Sequence, residues 1–276
     1  GDAGAEDTKI VFDGNAQDFY IGLDDSADDL VIGVGSTVGT TPAIHVDENK
    51  KVTIGESGVA STISGIPFYN GDTSSIYTHD VSGTDSTAEA NTAYGLTALD
   101  ATTTADNNVA VGYQAGTDIN TGGSNTILGA LCFRNATSAA ENVVIGYLAG
   151  GAGTATSGLN VVIGNEAAEE MTSMSESTVV GYKAATSNTT GSHILAMGYL
   201  AYDAADTENH NLAIGTAALG GAINGGEYNV AVGNYTLDAV QTGDSNTAVG
   251  YAAGSAVVEG KDNTLIGESA GGSITD

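Results

Sequence analysis

Residues 107–116 read NNVAVGYQAG, and the same pattern returns as NVVIGNEAA at 160–168, NLAIGTAAL at 211–219 and NTAVGYAAG at 246–254. The shared unit is an asparagine, three small or aliphatic residues, a glycine, two variable residues and an alanine. Eleven copies occur, and their glycines follow one another at steps of 17 or 18 residues. The repeat glycines are Gly95, Gly112, Gly129, Gly146, Gly164, Gly181, Gly198, Gly215, Gly233, Gly250 and Gly267. So constant a step identifies an internal structural repeat, and any fold must be built from it.

Each copy predicts a short β-strand that ends in a turn. Val, Ile and Thr dominate the three positions before the glycine, as is typical of strands. A helix is disfavoured because Gly and Asn recur too often. Seventeen residues are too few for a strand, a crossover helix and two loops. They suffice for one coil of a β-solenoid with two or three short strands. The sequence therefore predicts an all-β fold of stacked coils.

The positions within the repeat differ in their chemistry. Asn stands four residues before the glycine in nine of the eleven copies, where it can adopt left-handed backbone and form amide ladders between coils. Gly itself indicates a positive φ or a very close approach of backbone. Ala stands three residues after the glycine in nine copies, the exceptions being Cys132 and Thr236, which indicates tight packing. Representative structural positions are Asn108, Gly112, Ala115, Asn142, Gly146, Ala149, Asn211, Gly215, Ala218, Asn246, Gly250 and Ala253.

The three residues before each glycine bear on the oligomeric state, because all of them are apolar or Thr, as in Val161, Val162 and Ile163. Successive side chains of a strand point to opposite faces, so both faces of this strand avoid water. One face can fill the interior of the coil, and the other requires a cover. Matching strands of two further copies around a threefold axis would provide that cover, so we expect a homotrimer.

Composition agrees with many thin cores rather than one thick core. The chain has 276 residues, of which 40 are Gly, and it contains no Trp. Six Lys and Arg face 34 Asp and Glu, for a net charge of −28. This balance disfavours nucleic acid and anionic membranes as partners. No apolar run is long enough to span a membrane, so we expect no membrane insertion. The single Cys132 excludes a disulfide framework.

The four blocks quoted above resemble the head repeats of trimeric autotransporter adhesins, a YadA-like left-handed parallel β-roll. They are also similar to NTAVGYQAL-type repeats of bacteriophage tail-fibre proteins. The resemblance covers residues 91 to about 270. The period of 17 is longer than that of the adhesin head, which implies longer turns between the Ala and the next Asn. The opening stretches 7–36 and 41–55 resemble shaft or pre-tip segments of phage fibres.

The chain before the repeats is organised differently. Residues 1–58 form a β-rich region with expected strands at 9–12, 19–23, 30–34, 43–46 and 51–54. Turn-forming residues separate these stretches. Residues 59–90 show neither pattern and are interpreted as a neck or connector. Residues 91–276 form the repeat domain.

Candidate sites are few. Four histidines, His45, His79, His193 and His210, show no metal-ligand spacing. The acidic run Asp24, Asp25, Asp28 and Asp29 lacks the ligand order of a calcium loop and is interpreted as a solvated turn. We therefore expect no metal, no cofactor and no catalytic residue. Tyr follows the repeat glycine in five copies, at Tyr113, Tyr147, Tyr182, Tyr199 and Tyr251. These rings either stack between coils, the interpretation we favour, or face a receptor.

The sequence leaves several functions open. The resemblance implies a structural fibre subunit of a phage tail fibre, on the virion surface, that attaches to a glycan or protein of the host cell. The alternative is the head of a bacterial trimeric autotransporter adhesin on the cell surface. A fibre-borne polysaccharide depolymerase is the second alternative; it would need paired carboxylates in a groove, and no repeat carries an insertion that could form one. A monomeric solenoid that binds ice or metal is a further hypothesis; ice binding would require flat arrays of regularly spaced Thr, and Thr is irregularly placed in this chain.

Overall fold

The computed structural model describes residues 8–14, 17–24, 29–35, 42–46, 52–54, 61–63, 66–68, 76–77 and 87–272. The chain divides into two compact units, Gly1–Asn70 and Gly71–Asp276. The boundaries expected from the sequence, after residues 58 and 90, lie on either side of this division.

The first unit contains a five-stranded antiparallel sheet whose strands follow one another in chain order. Its strands are β1 (Thr8–Phe12), β2 (Phe19–Asp24), β3 (Asp29–Val34), β4 (Pro42–Val46) and β5 (Val52–Ile54). All five strands predicted in this region are confirmed, with ends that differ by one residue at most. Alternate residues of β2 and β3 are buried, and Tyr20 and Val31 form the described core. A separate antiparallel pair consists of β6 (Ser61–Ile63) and β7 (Ile66–Phe68).

The second unit is a parallel β-solenoid with one strand per repeat. Its strands are β8 (Ile76–Tyr77), β9 (Thr92–Tyr94), β10 (Val109–Val111), β11 (Thr126–Leu128), β12 (Val143–Ile145), β13 (Val161–Ile163), β14 (Thr178–Val180), β15 (Leu195–Met197), β16 (Leu212–Ile214), β17 (Val230–Val232), β18 (Thr247–Val249) and β19 (Thr264–Ile266). They form one twelve-stranded sheet in chain order. Equivalent repeat positions are paired, for example Val109 with Thr126. At about 4.8 Å per coil, the eleven repeats extend roughly 50 Å. The predicted all-β stacked-coil fold is confirmed.

Strand β8 extends the sheet of the solenoid by one strand that the sequence pattern did not predict. Ile76 and Tyr77 pair in parallel with Thr92 and Ala93 of β9, although they lie in the stretch interpreted as a connector. This stretch lacks the Asn and Gly spacing of the repeat, so only the pairing identifies it as part of the sheet.

Each coil turns through three positions with left-handed backbone. They are the residue five before the glycine, with φ of 51–66°, and the residues two and four after the glycine, with φ of 50–58° and 46–71°. Most are not glycine, and a left-handed non-glycine residue costs about 1–2 kcal/mol. Hydrogen bonds to neighbouring coils hold these residues in place. Leu131, for example, donates its backbone N–H to Tyr113 O at 2.8 Å, and His210 donates to Ser192 O at 3.1 Å.

The interior is built from columns of small residues. The middle residue of each repeat strand is buried, and so is the residue three after each glycine in every copy but the last, where Ala270 is half-buried. Larger side chains fill the space that neighbouring glycines leave: a Cβ on Gly150 would lie 3.0 Å from Cδ2 of Phe133. Such thin, interlocked layers suit a chain without Trp and with few large apolar residues. The described residues form strands and turns but no helix, so they contain no helix that could cross a membrane.

Candidate functional site

The outer side of the repeat strands forms a surface without charged side chains along the solenoid. We call it the strand face and define it as the residues one and three before each repeat glycine, on β9 to β19. The middle residues, such as Val162, are buried, whereas the strand-face residues are half-buried or exposed in the single chain. The exposed apolar residues of the strand face are Tyr94, Val109, Leu128, Val161, Met197, Val249 and Ile266. The expected apolar stripe is therefore present along the whole repeat domain.

Charge is excluded from the strand face. On the described strands β9 to β19, only Thr, Val and Leu occur three before the glycine, and only Tyr, Val, Leu, Ile and Met occur one before it.

Acidic residues instead occupy the turns, where the pKa values of Asp203 and Asp238 are raised by burial. Two of the few cations pair with an acid of the preceding coil: Lys183 Nζ lies 3.0 Å from Glu166 Oε2, and Lys261 Nζ lies 2.7 Å from Asp244 Oδ2.

The five tyrosines that follow the glycine are all exposed beside the strand face. The structure brings together only the two from adjacent coils: the rings of Tyr182 and Tyr199 stack with centroids 5.5 Å apart and planes 10° apart. Tyr251 instead meets Tyr235 edge-on at 6.0 Å. The others are separated by coils that carry another residue at this position, such as Ala130. The column is therefore broken, and stacking accounts for only part of it.

The repeat asparagines form the predicted amide ladder inside the solenoid. Asn125 donates both its backbone N–H and its Nδ2 to Oδ1 of Asn108, each at 2.9 Å, and Asn142 bonds in the same way to Asn125 at 3.0 Å. Two coils interrupt the ladder. Ser177 Oγ replaces the amide oxygen and accepts from Ile194 N at 3.1 Å, whereas Ile194 has no side-chain acceptor to offer Asn211.

The alanine three after the glycine lies in the interior, and the structure shows why it is small. Ala149 is fully buried, whereas Tyr147, two residues earlier, is 46% exposed. In the two copies that lack this alanine, Thr236 Oγ1 donates to Gly250 O at 2.7 Å, and Cys132 Sγ donates to Val144 O at 3.2 Å. Burial raises the pKa of the Cys132 thiol to about 12, so this thiol is a core residue rather than a nucleophile.

One buried carboxylate was missed by the sequence reading. Glu208 accepts backbone N–H bonds from Asp206 and Thr207 at 3.1 Å and from Gly225 at 2.9 Å. Tyr202 donates its hydroxyl to Glu208 O at 3.1 Å, and burial raises the pKa of this tyrosine. The sequence did distinguish Glu208, because the equivalent positions of other copies carry small or apolar residues such as Ala105 and Gly191. Its three N–H partners make this carboxylate a structural anchor for the turns.

A second missed feature joins residues that look scattered in the sequence. His193 and His210 are 17 residues apart, which is one coil, and their rings stack with centroids 4.6 Å apart. Of the remaining candidates, Asp25, Asp28 and His79 lie outside the described residues.

An open surface depression of about 150 Å³ is lined by Gln114, Thr117, Asp118, Arg134 and Asn135. Within the described ranges, no three His, Cys, Asp or Glu side chains come together in an arrangement suited to a metal ion. No protein-family model, curated protein or solved structure matches the chain, so a function has to be argued from this geometry.

Proposed function

We propose that this chain is a non-enzymatic structural subunit of a homotrimeric surface fibre that attaches to a host cell. The observation that carries the proposal is the strand face, which extends along all eleven repeats without a charged side chain. Monomeric soluble proteins rarely expose contiguous apolar patches of more than a few hundred Å². A surface of this kind requires a partner of equal length and the same periodicity, and a further copy of the chain meets both requirements.

A trimeric arrangement suits the narrow shape of the strand face. The strand face is narrow, because each coil contributes only two outward side chains to it. Three narrow faces that point towards a common axis cover one another and leave the acidic turns outside. The net charge of −28 per chain then lies on the exterior, where it keeps separate fibres apart.

The attachment role, and with it a location on a virion or a bacterial surface, is supported by the resemblance of the repeats to those of tail-fibre and adhesin proteins. The exposed tyrosines beside the strand face would supply contacts to a host glycan or protein, since Tyr combines an apolar ring with a polar hydroxyl. The stacked rings of Tyr182 and Tyr199 offer two adjacent aromatic groups for such a contact.

Sedimentation equilibrium tests the assembly. The expected species is a trimer of about 82 kDa, three times the 27.3 kDa chain. Ile163→Lys places a charge on the strand face and is expected to shift the protein to monomer. Ser173→Lys adds the same charge at an exposed turn and should leave the trimer intact. A well-folded wild-type monomer at micromolar concentration would refute the proposal.

A further inference from the structure

Four neighbouring coils place chemically reactive or aromatic side chains at one repeat position, the residue five before the repeat glycine. These residues are Glu176, His193, His210 and Tyr228, and all four are exposed. The two imidazoles stack at 4.6 Å, and the ring of His210 stacks on Tyr228 with centroids 4.8 Å apart and planes 7° apart. We call this set the histidine column. It lies outside the strand face and is independent of the interface proposed above.

The carboxylate at one end of the histidine column orients the first imidazole. Nε2 of His193 lies 3.1 Å from Oε2 of Glu176. In a neutral imidazole this contact places the proton on Nε2 and leaves the lone pair on Nδ1. A carboxylate that accepts the second N–H of an imidazole is the usual partner of a metal-binding histidine. Among the described residues, the His210 ring has only stacking partners, so its nitrogens are available as well.

The backbone fixes the two histidines one coil apart. Both residues have left-handed backbone, with φ of 60° and 59°, and their N–H groups donate to Ser175 O and Ser192 O, each at 3.1 Å. The two rings lie on neighbouring coils with centroids 4.6 Å apart, within the reach of two imidazoles that share one ion. The χ2 torsion of histidine has a broad minimum. Rotation of the two exposed rings can therefore direct one nitrogen of each towards a shared ion, for which Zn–N distances are about 2.0–2.1 Å.

We propose that His193 and His210 together bind one divalent transition-metal ion, with Glu176 as the positioning residue for His193. Imidazole selects Zn²⁺, Cu²⁺ or Ni²⁺ over Ca²⁺ and Mg²⁺, which prefer oxygen ligands. Water completes the coordination sphere, because no third His, Cys, Asp or Glu converges here in the described structure. The net charge of −28 raises the local concentration of cations around the site.

Isothermal titration of the full chain with ZnCl₂ tests the site. One Zn²⁺ per chain is expected, and His193→Asn and His210→Asn should each weaken binding by more than the roughly tenfold effect of losing an orienting partner. Asn is the matched replacement because it tolerates left-handed backbone. Glu176→Gln should weaken binding roughly tenfold, with partial recovery in Glu176→Asp.

Two controls separate this site from other zinc binding. The double variant His45→Asn/His79→Asn removes the histidines outside the column and should bind Zn²⁺ as the wild type does, as should Tyr228→Phe, which keeps the ring. Unchanged binding in His193→Asn/His210→Asn, or no binding by the wild type, would overturn the proposal. Sedimentation of the same variants shows whether assembly is unaffected, so failure of the zinc site and failure of the proposed trimer are distinguishable.

Discussion

At the scale of single residues, the repeat glycine sets the spacing of the coils. Gly146 has φ of +142°, and a Cβ built there would lie 2.6 Å from the carbonyl carbon of Gly164. The sequence left two explanations for this glycine, a positive φ or a close approach of backbone, and both apply. A side chain here would be strained and would also push the next coil away, so no copy carries one.

The alanine three after the glycine should be the position least tolerant of a larger side chain. Ala149→Leu adds three heavy atoms to a fully buried site and is expected to cost about 1–3 kcal/mol per chain. Tyr147→Ser changes a side chain that is about half exposed and should leave the melting temperature nearly unchanged. Thermal unfolding of the two variants side by side is the measurement. Equal melting temperatures would contradict the observed assignment of inner and outer positions.

The buried thiol gives a prediction about pH. Burial raises the pKa of Cys132 from 9.0 to about 12. The folded state therefore holds this proton more tightly than the unfolded state, and the resulting stability is complete below the unfolded value of 9.0 and is lost as pH rises towards 12. Cys132→Ala introduces the residue that most copies carry and removes this dependence. Between about pH 8 and about pH 11, the wild type should lose more stability than Cys132→Ala in denaturant titrations.

Reactivity provides an independent readout for the same residue. The thiolate is the nucleophile, so the native thiol should stay unmodified by a disulfide reagent near pH 8 and react fully in denaturant. Fast modification of the folded protein would show that Cys132 is not buried as described.

At the scale of the elements, the sequence predicted strands wherever Asn and Gly recur and missed what neighbouring coils impose. The strand residues have β-propensity of their own, so β9 to β19 were found. The left-handed turn residues have no such signal: Leu131, Leu148 and Lys183 adopt positive φ because their N–H groups bond to the preceding coil. The histidine pair was missed because a spacing of 17 has no meaning until it equals one coil.

The amide ladder joins neighbouring coils in the interior. Replacement of one ladder residue should destabilise only the adjoining coils, and by an amount that depends on the new side chain. Oδ1 of Asn142 accepts from Asn160 N at 3.1 Å and from Asn160 Nδ2 at 3.0 Å. Asn142→Ala leaves both donors without this acceptor and is expected to cost about 1–3 kcal/mol. Asn142→Ser should cost less, because Ser177 shows that a hydroxyl can accept the next N–H.

Hydrogen exchange measures this effect where it occurs. The Asn160 amide should exchange fastest in Asn142→Ala and at an intermediate rate in Asn142→Ser, while amides several coils away, such as that of Thr247, keep their protection. Equal exchange in all three proteins would mean that the ladder carries no stability.

At the scale of the whole molecule, the solenoid is a one-dimensional stack in which each coil contacts its two neighbours. The repeat strands pair with sequence neighbours only, so stability is approximately a sum of coils and interfaces. The ion pairs of Lys183 and Lys261 also join neighbouring coils, because each lysine pairs with an acidic residue one coil earlier. The number of coils can therefore change without loss of the fold, provided that the strand register is kept.

Removal of one complete coil should leave the fold intact. Deletion of residues 178–194 takes out 17 residues and joins Ser177 to Leu195 at adjacent repeat positions. It also removes Ile194, which interrupts the amide ladder, and places Ser177 Oγ opposite the backbone N–H of Asn211. It further removes the buried Asn188, whose amide atoms have no hydrogen-bond partner. The shortened chain should retain its β-structure and melt within a few degrees of the wild type.

Deletion of residues 178–186 alone supplies the control, because it removes half a coil and places every later strand out of register. This variant should lose cooperative unfolding, or unfold at a much lower temperature. Circular dichroism melts of the two deletions decide between them. If the half-coil deletion is as stable as the full-coil deletion, the repeat is not the unit of the fold, and the strand face cannot serve as a continuous surface for assembly.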